Sequence, residues 1–166
     1  AKVAVIEFFD YQCVFCSRFA PELEKVMKAQ PDVRYLFKEW PIFGGRWEAS
    51  LQAAQQGLTV WQKKGPQAYV TYHNAVYATG HNEGKLTAED ILAAASKAGL
   101  AAPAPGDHTA SLEKNSNLAE ELGLTGTPGI IVMPVSGATP DTITVFPEAV
   151  TAERLQAAIR KATRVK

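Results

Sequence analysis

The chain has 166 residues, 46% hydrophobic and 20% charged, which is one domain's length with room for an insertion and excludes a disordered or collagen-like chain. Lys+Arg and Asp+Glu number 17 each, for a formal net charge of +0, so no basic excess steers it to nucleic acid or anionic lipid. No apolar run approaches the ~18 residues that a membrane-spanning helix needs.

The chain opens without Met, directly on the strand-like Ala1-Lys2-Val3-Ala4-Val5-Ile6, and a trimmed start is expected. Val3 to Phe9 has Glu7 as its only charge, the pattern of a strand buried on both faces. A buried lone charge needs a reason. Phe19, Leu23 and Val26 then recur at helical spacing, predicting a helix from about Val14 to Ala29, kinked at Pro21. Val33 to Trp40 reads as a second strand. Strand, helix and strand over about 40 residues make a βαβ unit with a parallel pair.

Helical segments follow over Trp47–Lys63 and Gln67–Ala78, divided by Gly65-Pro66. Thr87 with Asp90 three residues later predicts a capped helix start. Ala101 to Gly106 reads as a loop, and Thr109 to Leu122 as a helix ending at Gly123. Strands are then expected at Gly129–Met133 and Thr142–Phe146, and an amphipathic helix at Thr151–Lys161. The order βαβ, helices, ββα gives one α/β domain over residues 1–166, with a helical insertion at about 43–122.

Two cysteines, Cys13 and Cys16, form Cys13-Val14-Phe15-Cys16. His73, His81 and His108 lack the close pairing of a zinc site, so no metal site is expected. A stabilising staple is also a poor reading: so small a ring gives only about 2 kcal/mol by loop entropy. A redox pair remains. At a strand-to-helix turn, unpaired N–H groups and the helix dipole favour a thiolate on Cys13. Cys16, one turn further on, would be the resolving thiol. Two thiols also suit Cu(I), a soft ion, which makes copper binding the alternative from another class. His73 on its helix is expected to be a satisfied packing residue, and His81 and His108 to be solvated.

Three segments carry a family resemblance: Phe8-Phe9-Asp10-Tyr11-Gln12-Cys13-Val14-Phe15-Cys16, Phe37-Lys38-Glu39-Trp40-Pro41-Ile42-Phe43 and Gly126-Thr127-Pro128-Gly129. They resemble the DsbA-type thioredoxin-fold disulfide oxidoreductases, most of all the suppressor-of-copper-sensitivity protein C (ScsC) group. The resemblance implies a thioredoxin-like fold of DsbA type and a periplasmic oxidase or isomerase of protein thiols. It further implies a thioredoxin-like membrane reductase (ScsB type) as partner, a link to copper tolerance, and no cofactor. Val14-Phe15 departs from the Pro-His or Pro-Tyr common among relatives.

By the same resemblance Thr127-Pro128 is the cis-proline site, where an extended substrate pairs beside Cys13. The turn residues around Pro128, just before a strand, agree with it. Glu7 matches the family's buried acid, able to take the proton that Cys16 must lose, and Lys38 matches its lysine partner.

Overall fold

In the computed structural model, which describes residues 1–100 and 106–164, β1 (Val3–Phe9) passes almost at once into α1 (Val14–Ala29). β1 is buried along its length, with only Ile6 half-covered, as a run with one charge requires. Strand alternation sends Val5, Glu7 and Phe9 to one face and Ile6 and Phe8 to the other. α1 buries Phe19, Leu23 and Val26, and accommodates Pro21 within one unbroken helical segment. β2 (Arg34–Glu39) returns parallel to β1, with Glu7 level with Phe37 and Phe8 level with Lys38.

β3 (Gly129–Pro134) and β4 (Thr144–Phe146) add antiparallel pairs, and the sheet order is β2-β1-β3-β4. β4 begins two residues later than expected. The Thr142 hydroxyl donates to the Thr139 carbonyl at 3.1 Å and accepts the Thr139 N–H at 3.0 Å, which commits Thr142 to the turn. α6 (Ala152–Ala162) is capped by Thr151, whose hydroxyl accepts the Arg154 N–H. Its Leu155, Ala158 and Ile159 pack with Val3, Val5, Ile130 and Val132 and with the inner face of α1. Leu155 is fully buried, so Leu155→Ala would cost about 2–5 kcal/mol.

Between β2 and β3 lie α2 (Glu48–Lys64), α3 (Pro66–Ala78), α4 (Ala88–Lys97) and α5 (Thr109–Glu121). Gly65 (φ 89°) separates α2 from α3, a backbone angle that suits glycine, and Pro66 opens α3. The Thr87–Asp90 capping box forms as expected at α4. Ala119 and the following Leu124 cover Phe8, Trp40 and Ile131 on one side of the sheet. On the other, α2, α3 and α4 bury a cluster with Phe9, Tyr11, Cys13, Cys16 and Ala20, so the helical insertion roofs the end of the sheet that carries the cysteines. This is the thioredoxin-like architecture expected from the sequence. Of the expected Ala101–Gly106 loop, residues 101–105 lie outside the described residues. Among those described, no helix is long and apolar enough to cross a membrane.

Candidate redox site

Cys13 is the N-cap residue of α1. Its backbone is extended and its sulfur accepts the Cys16 N–H at 3.4 Å, answering one of the donors that a helix start leaves unpaired. Both cysteines are free thiols, 3% and 1% exposed. The Cys13 thiol is lowered to about 6, chiefly by its hydrogen bond with the Cys16 side chain, against an opposing push from burial. The Thr127 side chain and the backbone N–H groups of Cys16 and Phe15 act in the same direction. Burial, and the loss of that bond if its own proton leaves, push Cys16 well up. One turn of helix thus holds a sulfur that ionises near neutral pH and a second that keeps its proton, the pairing that thiol–disulfide exchange requires.

Asp10 builds the turn that carries the pair. Its Oδ1 accepts the Gln12 N–H at 2.8 Å and the Ser50 hydroxyl at 2.9 Å, and its Oδ2 accepts the Phe43 N–H at 2.9 Å. Its carbonyl accepts the Cys13 N–H and the Tyr77 hydroxyl. Gln12 ties the same turn to the insertion, its Oε1 accepting the Gly84 and Leu86 N–H groups. Sequence reasoning gave neither residue a role, although an acid three residues ahead of the first cysteine, at the end of a strand, is a recognisable Asx-turn signal.

Thr127-Pro128 is a cis peptide, and the Cys13 thiol donates to the Thr127 carbonyl at 3.3 Å. Phe15, between the cysteines, is 54% exposed, with the Arg18 guanidinium 5.5 Å from its ring centre. Cys13 is thus in contact with a backbone carbonyl, and an exposed aromatic ring lies two residues along the chain from it.

Beneath the cysteines, Glu7 is 3% exposed and its Oε1 is buried without a partner. Burial first, then the charges of Cys13 and Glu39, push its carboxyl well above the usual range. Lys38 does not meet it. Register pairs Lys38 with Phe8 and Glu7 with Phe37, so by alternation Lys38 leaves the opposite face of the sheet. The expected Glu7–Lys38 pairing is corrected on that ground.

The acidic neighbour on the Glu7 face is Glu39, 1% exposed, whose Oε2 accepts the hydroxyls of Tyr11 at 2.9 Å and Tyr69 at 2.6 Å. His73 is buried among Phe9, Tyr11, Phe37 and Tyr77, bonded to Asn74 through Nδ1 but with Nε2 unpartnered. It is a packing residue, as expected, but only half satisfied. His81 and His108 are not simply solvated: His81 pairs with Asp90 at 2.8 Å and His108 with the Thr59 hydroxyl at 2.9 Å.

A thiolate-stabilising dithiol turn at the head of a βαβ unit, facing a cis-proline loop from the ββα half, puts the chain in the thioredoxin-fold class. Its family is shown directly: residues 1–161 match the Thioredoxin family, and the chain belongs to it. Among solved structures it is similar to BcfH of Salmonella enterica Typhimurium, with 40% identity and a TM-score of 0.82 over 98% of this chain and 70% of that one. The catalytic domain of Proteus mirabilis ScsC is 27% identical, with a TM-score of 0.81 over 99% of this chain and 85% of that one. A thioredoxin-like oxidoreductase from Silicibacter pomeroyi is 31% identical, with a TM-score of 0.74 over 99% and 88%. The resemblance to the DsbA-type and ScsC proteins is thereby borne out. No curated protein sequence matches the chain.

Proposed function

We propose that the protein is a thiol–disulfide oxidoreductase, acting on protein thiols in the bacterial periplasm as an oxidase or isomerase, with Cys13 as nucleophile and Cys16 as resolving thiol. The observation that carries this reading is that Cys13 caps α1 with its sulfur accepting the Cys16 N–H at 3.4 Å, while Cys16 is buried one turn on. Hydrogen bonds from Cys16 lower the first thiol, and burial raises the second. The residues act as one DsbA-like domain, 1–166, with the insertion at about 43–122 as the roof of the site.

In the oxidising direction a substrate thiolate attacks Cys13 of the Cys13–Cys16 disulfide. A substrate–Cys13 bond forms, the Cys13–Cys16 bond breaks, and Cys16 leaves as a thiolate that takes a proton. A second substrate thiolate then attacks the substrate sulfur of the mixed disulfide. The substrate disulfide forms and Cys13 leaves as the thiolate that its helix cap favours. Isomerisation begins instead with Cys13 thiolate attacking a substrate disulfide, and Cys16 resolves the complex after giving up its proton. Glu7 is the buried acid that exchanges this proton with Cys16. The Thr127 carbonyl, ahead of Pro128, receives a substrate backbone N–H in the manner of strand addition. Lys38 has no part in the relay.

The periplasmic setting, the ScsB-type reductase partner and the copper link rest on the resemblance to the ScsC group. For Cu(I) binding itself the support is the two thiols alone. Among the described residues no group of three or more His, Cys, Asp and Glu side chains is gathered that could hold an ion. Trapping tests the reading. Cys16→Ser accumulates mixed disulfides on non-reducing gels, because nothing releases the substrate, and Cys13→Ser does not. Equal trapping by the two variants would sink the assignment.

A further inference from the structure

Two carboxyls, not one, are buried on the sheet face beneath the cysteines, and only one of them is supplied with donors. Glu7 on β1 and Glu39 on β2 leave the same face, Glu7 level with Phe37 and Glu39 level with Phe9. Oε1 of each is buried without a partner. Oε2 of Glu39 takes both the Tyr11 and the Tyr69 hydroxyl.

The surroundings offer Glu7 nothing comparable. Tyr77 donates to the Asp10 carbonyl and Tyr72 to the Ala53 carbonyl. His73 Nδ1 faces Asn74 Oδ1, an acceptor, so Nδ1 carries the ring proton and the unpartnered Nε2 has only a lone pair. Asp10 is spent on its own turn, and Cys13 and Cys16 are themselves acids. α2 keeps space for the Glu39 network: a Cβ on Gly57 would come within 2.7 Å of Glu39 Oε2 and 3.3 Å of the Tyr11 hydroxyl oxygen. Two carboxylates buried on one face of adjacent strands, two residues apart along them, disfavour each other's charge, and hydrogen bonds to the charged form decide which one keeps it. Burial leaves both raised, and the two tyrosine hydroxyls draw back only Glu39, which makes it the more readily ionised of the two.

We propose that Glu39 is a positioning residue of the redox site: held by Tyr11 and Tyr69, it carries the single negative charge of the buried pair and so keeps Glu7 protonated beneath the cysteines. This deepens the reading of Glu7 as the relay, and rests on it. When a substrate thiolate opens the Cys13–Cys16 bond, protonated Glu7 passes its proton to the departing Cys16 thiolate and becomes a carboxylate. The standing charge on Glu39 then drives Glu7 to regain a proton from solvent, which resets the site.

The test is the titration of the Cys13 thiolate, followed by absorbance in the reduced, full chain. In Glu39→Gln the charge is gone and Glu7 ionises at lower pH. Its carboxylate then opposes the Cys13 thiolate, so the Cys13 midpoint shifts upward from about 6. In a Glu7→Gln background the same substitution leaves the midpoint unmoved. Tyr69→Phe keeps the ring, removes one donor and shifts the midpoint the same way by less, which serves if Glu39→Gln does not fold. An unchanged or lowered Cys13 midpoint in these variants, or an equal upward shift with and without Glu7, overturns the proposal. A wild-type Cys13 midpoint near the free-thiol value of about 8.5 would instead overturn the redox reading itself, so the two failures are told apart.

Discussion

The Cys13 thiol donates to the Thr127 carbonyl at 3.3 Å, across 114 positions of chain. The contact exists because β1 and β3 are neighbours in the sheet, with Phe8 level with Gly129, so the turn after one strand abuts the loop before the other. It also links ionisation to binding. A protonated Cys13 occupies the carbonyl, and a thiolate has no proton to give, which leaves that carbonyl free for the N–H of an extended substrate.

Thr127→Val keeps the β-branched shape and removes the hydroxyl. The Thr127 Oγ1 is buried without a hydrogen-bond partner, a donor left over for the Cys13 thiolate, and the Thr127 side chain lowers the Cys13 thiol. Because a hydrogen bond to the charged form favours that form, its loss should raise the Cys13 midpoint above about 6. A thiolate titration measures it. An unmoved midpoint would mean that Thr127 acts through its carbonyl and shape alone.

The same thiol makes the stability of the reduced protein depend on pH. Its folded value of about 6 is depressed below the unfolded value of about 8.5. The unfolded chain therefore binds more protons between the two. The stabilisation is fully present above the unfolded value and is lost as pH falls through the folded one. Denaturant curves of the reduced wild type and Cys13→Ser should diverge in favour of the wild type as pH rises through that window. Glu39 is shared by both variants and cancels in the comparison, whereas Glu7 answers to the Cys13 charge and is held out by repeating the pair in a Glu7→Gln background. Parallel curves would contradict the depressed thiol.

His73 gives a second, separable acid sensitivity. Burial holds it down to about 4, against an unfolded value of about 6.5. A base with a depressed folded value withdraws stability as pH falls below its unfolded value. The loss should be on the order of 3 kcal/mol by pH ~4. His73→Phe keeps an aromatic ring among its aromatic neighbours and should flatten this limb. A profile identical to the wild type between pH ~6.5 and ~4 would count against a buried neutral His73.

Gly57→Ala puts a methyl against Glu39 Oε2, the Tyr72 ring and the Tyr11 hydroxyl, at 2.7, 3.1 and 3.3 Å. In an open helix the change would gain about 1 kcal/mol. Here overpacking costs about 1–3 kcal/mol, and the expected result is lower stability. Gly45→Ala meets nothing within 4 Å and should stay within about 0.5 kcal/mol of wild type. Chemical denaturation of both variants checks the pair, and a stabilised Gly57→Ala would show that α2 does not pack against Glu39 as described.

Much of this was legible in the sequence because its signals are local. The apolar Val3–Phe9 run, the cysteine turn, the Leu23–Val26 helical face and the capping box at Thr87 each need only neighbours along the chain, and each element formed within a residue or two of its expected bounds. What was illegible depends on partners far away or on sheet parity. Glu39 looks like an ordinary acid at the end of a strand, and its tyrosine donors lie 28 and 30 positions off. Lys38 fell to parity: in a strand whose neighbour Phe37 pairs level with Glu7, Lys38 must point away from it. That same alternation, applied to Phe37 and Glu39 together, would have turned Glu39 inward. The shortened β4 was hidden because Thr142 is a good strand residue by propensity but spends its hydroxyl on the preceding turn.

The central claim is that Cys13 is a stabilised thiolate and Cys16 its protonated, buried partner. The most direct measurement is alkylation of the reduced protein as a function of pH, with each site read by mass spectrometry. The account predicts modification at Cys13 with a midpoint of about 6, while Cys16 stays unmodified over the same range. Modification of both cysteines together, with a midpoint near the free-thiol value of about 8.5, would contradict it.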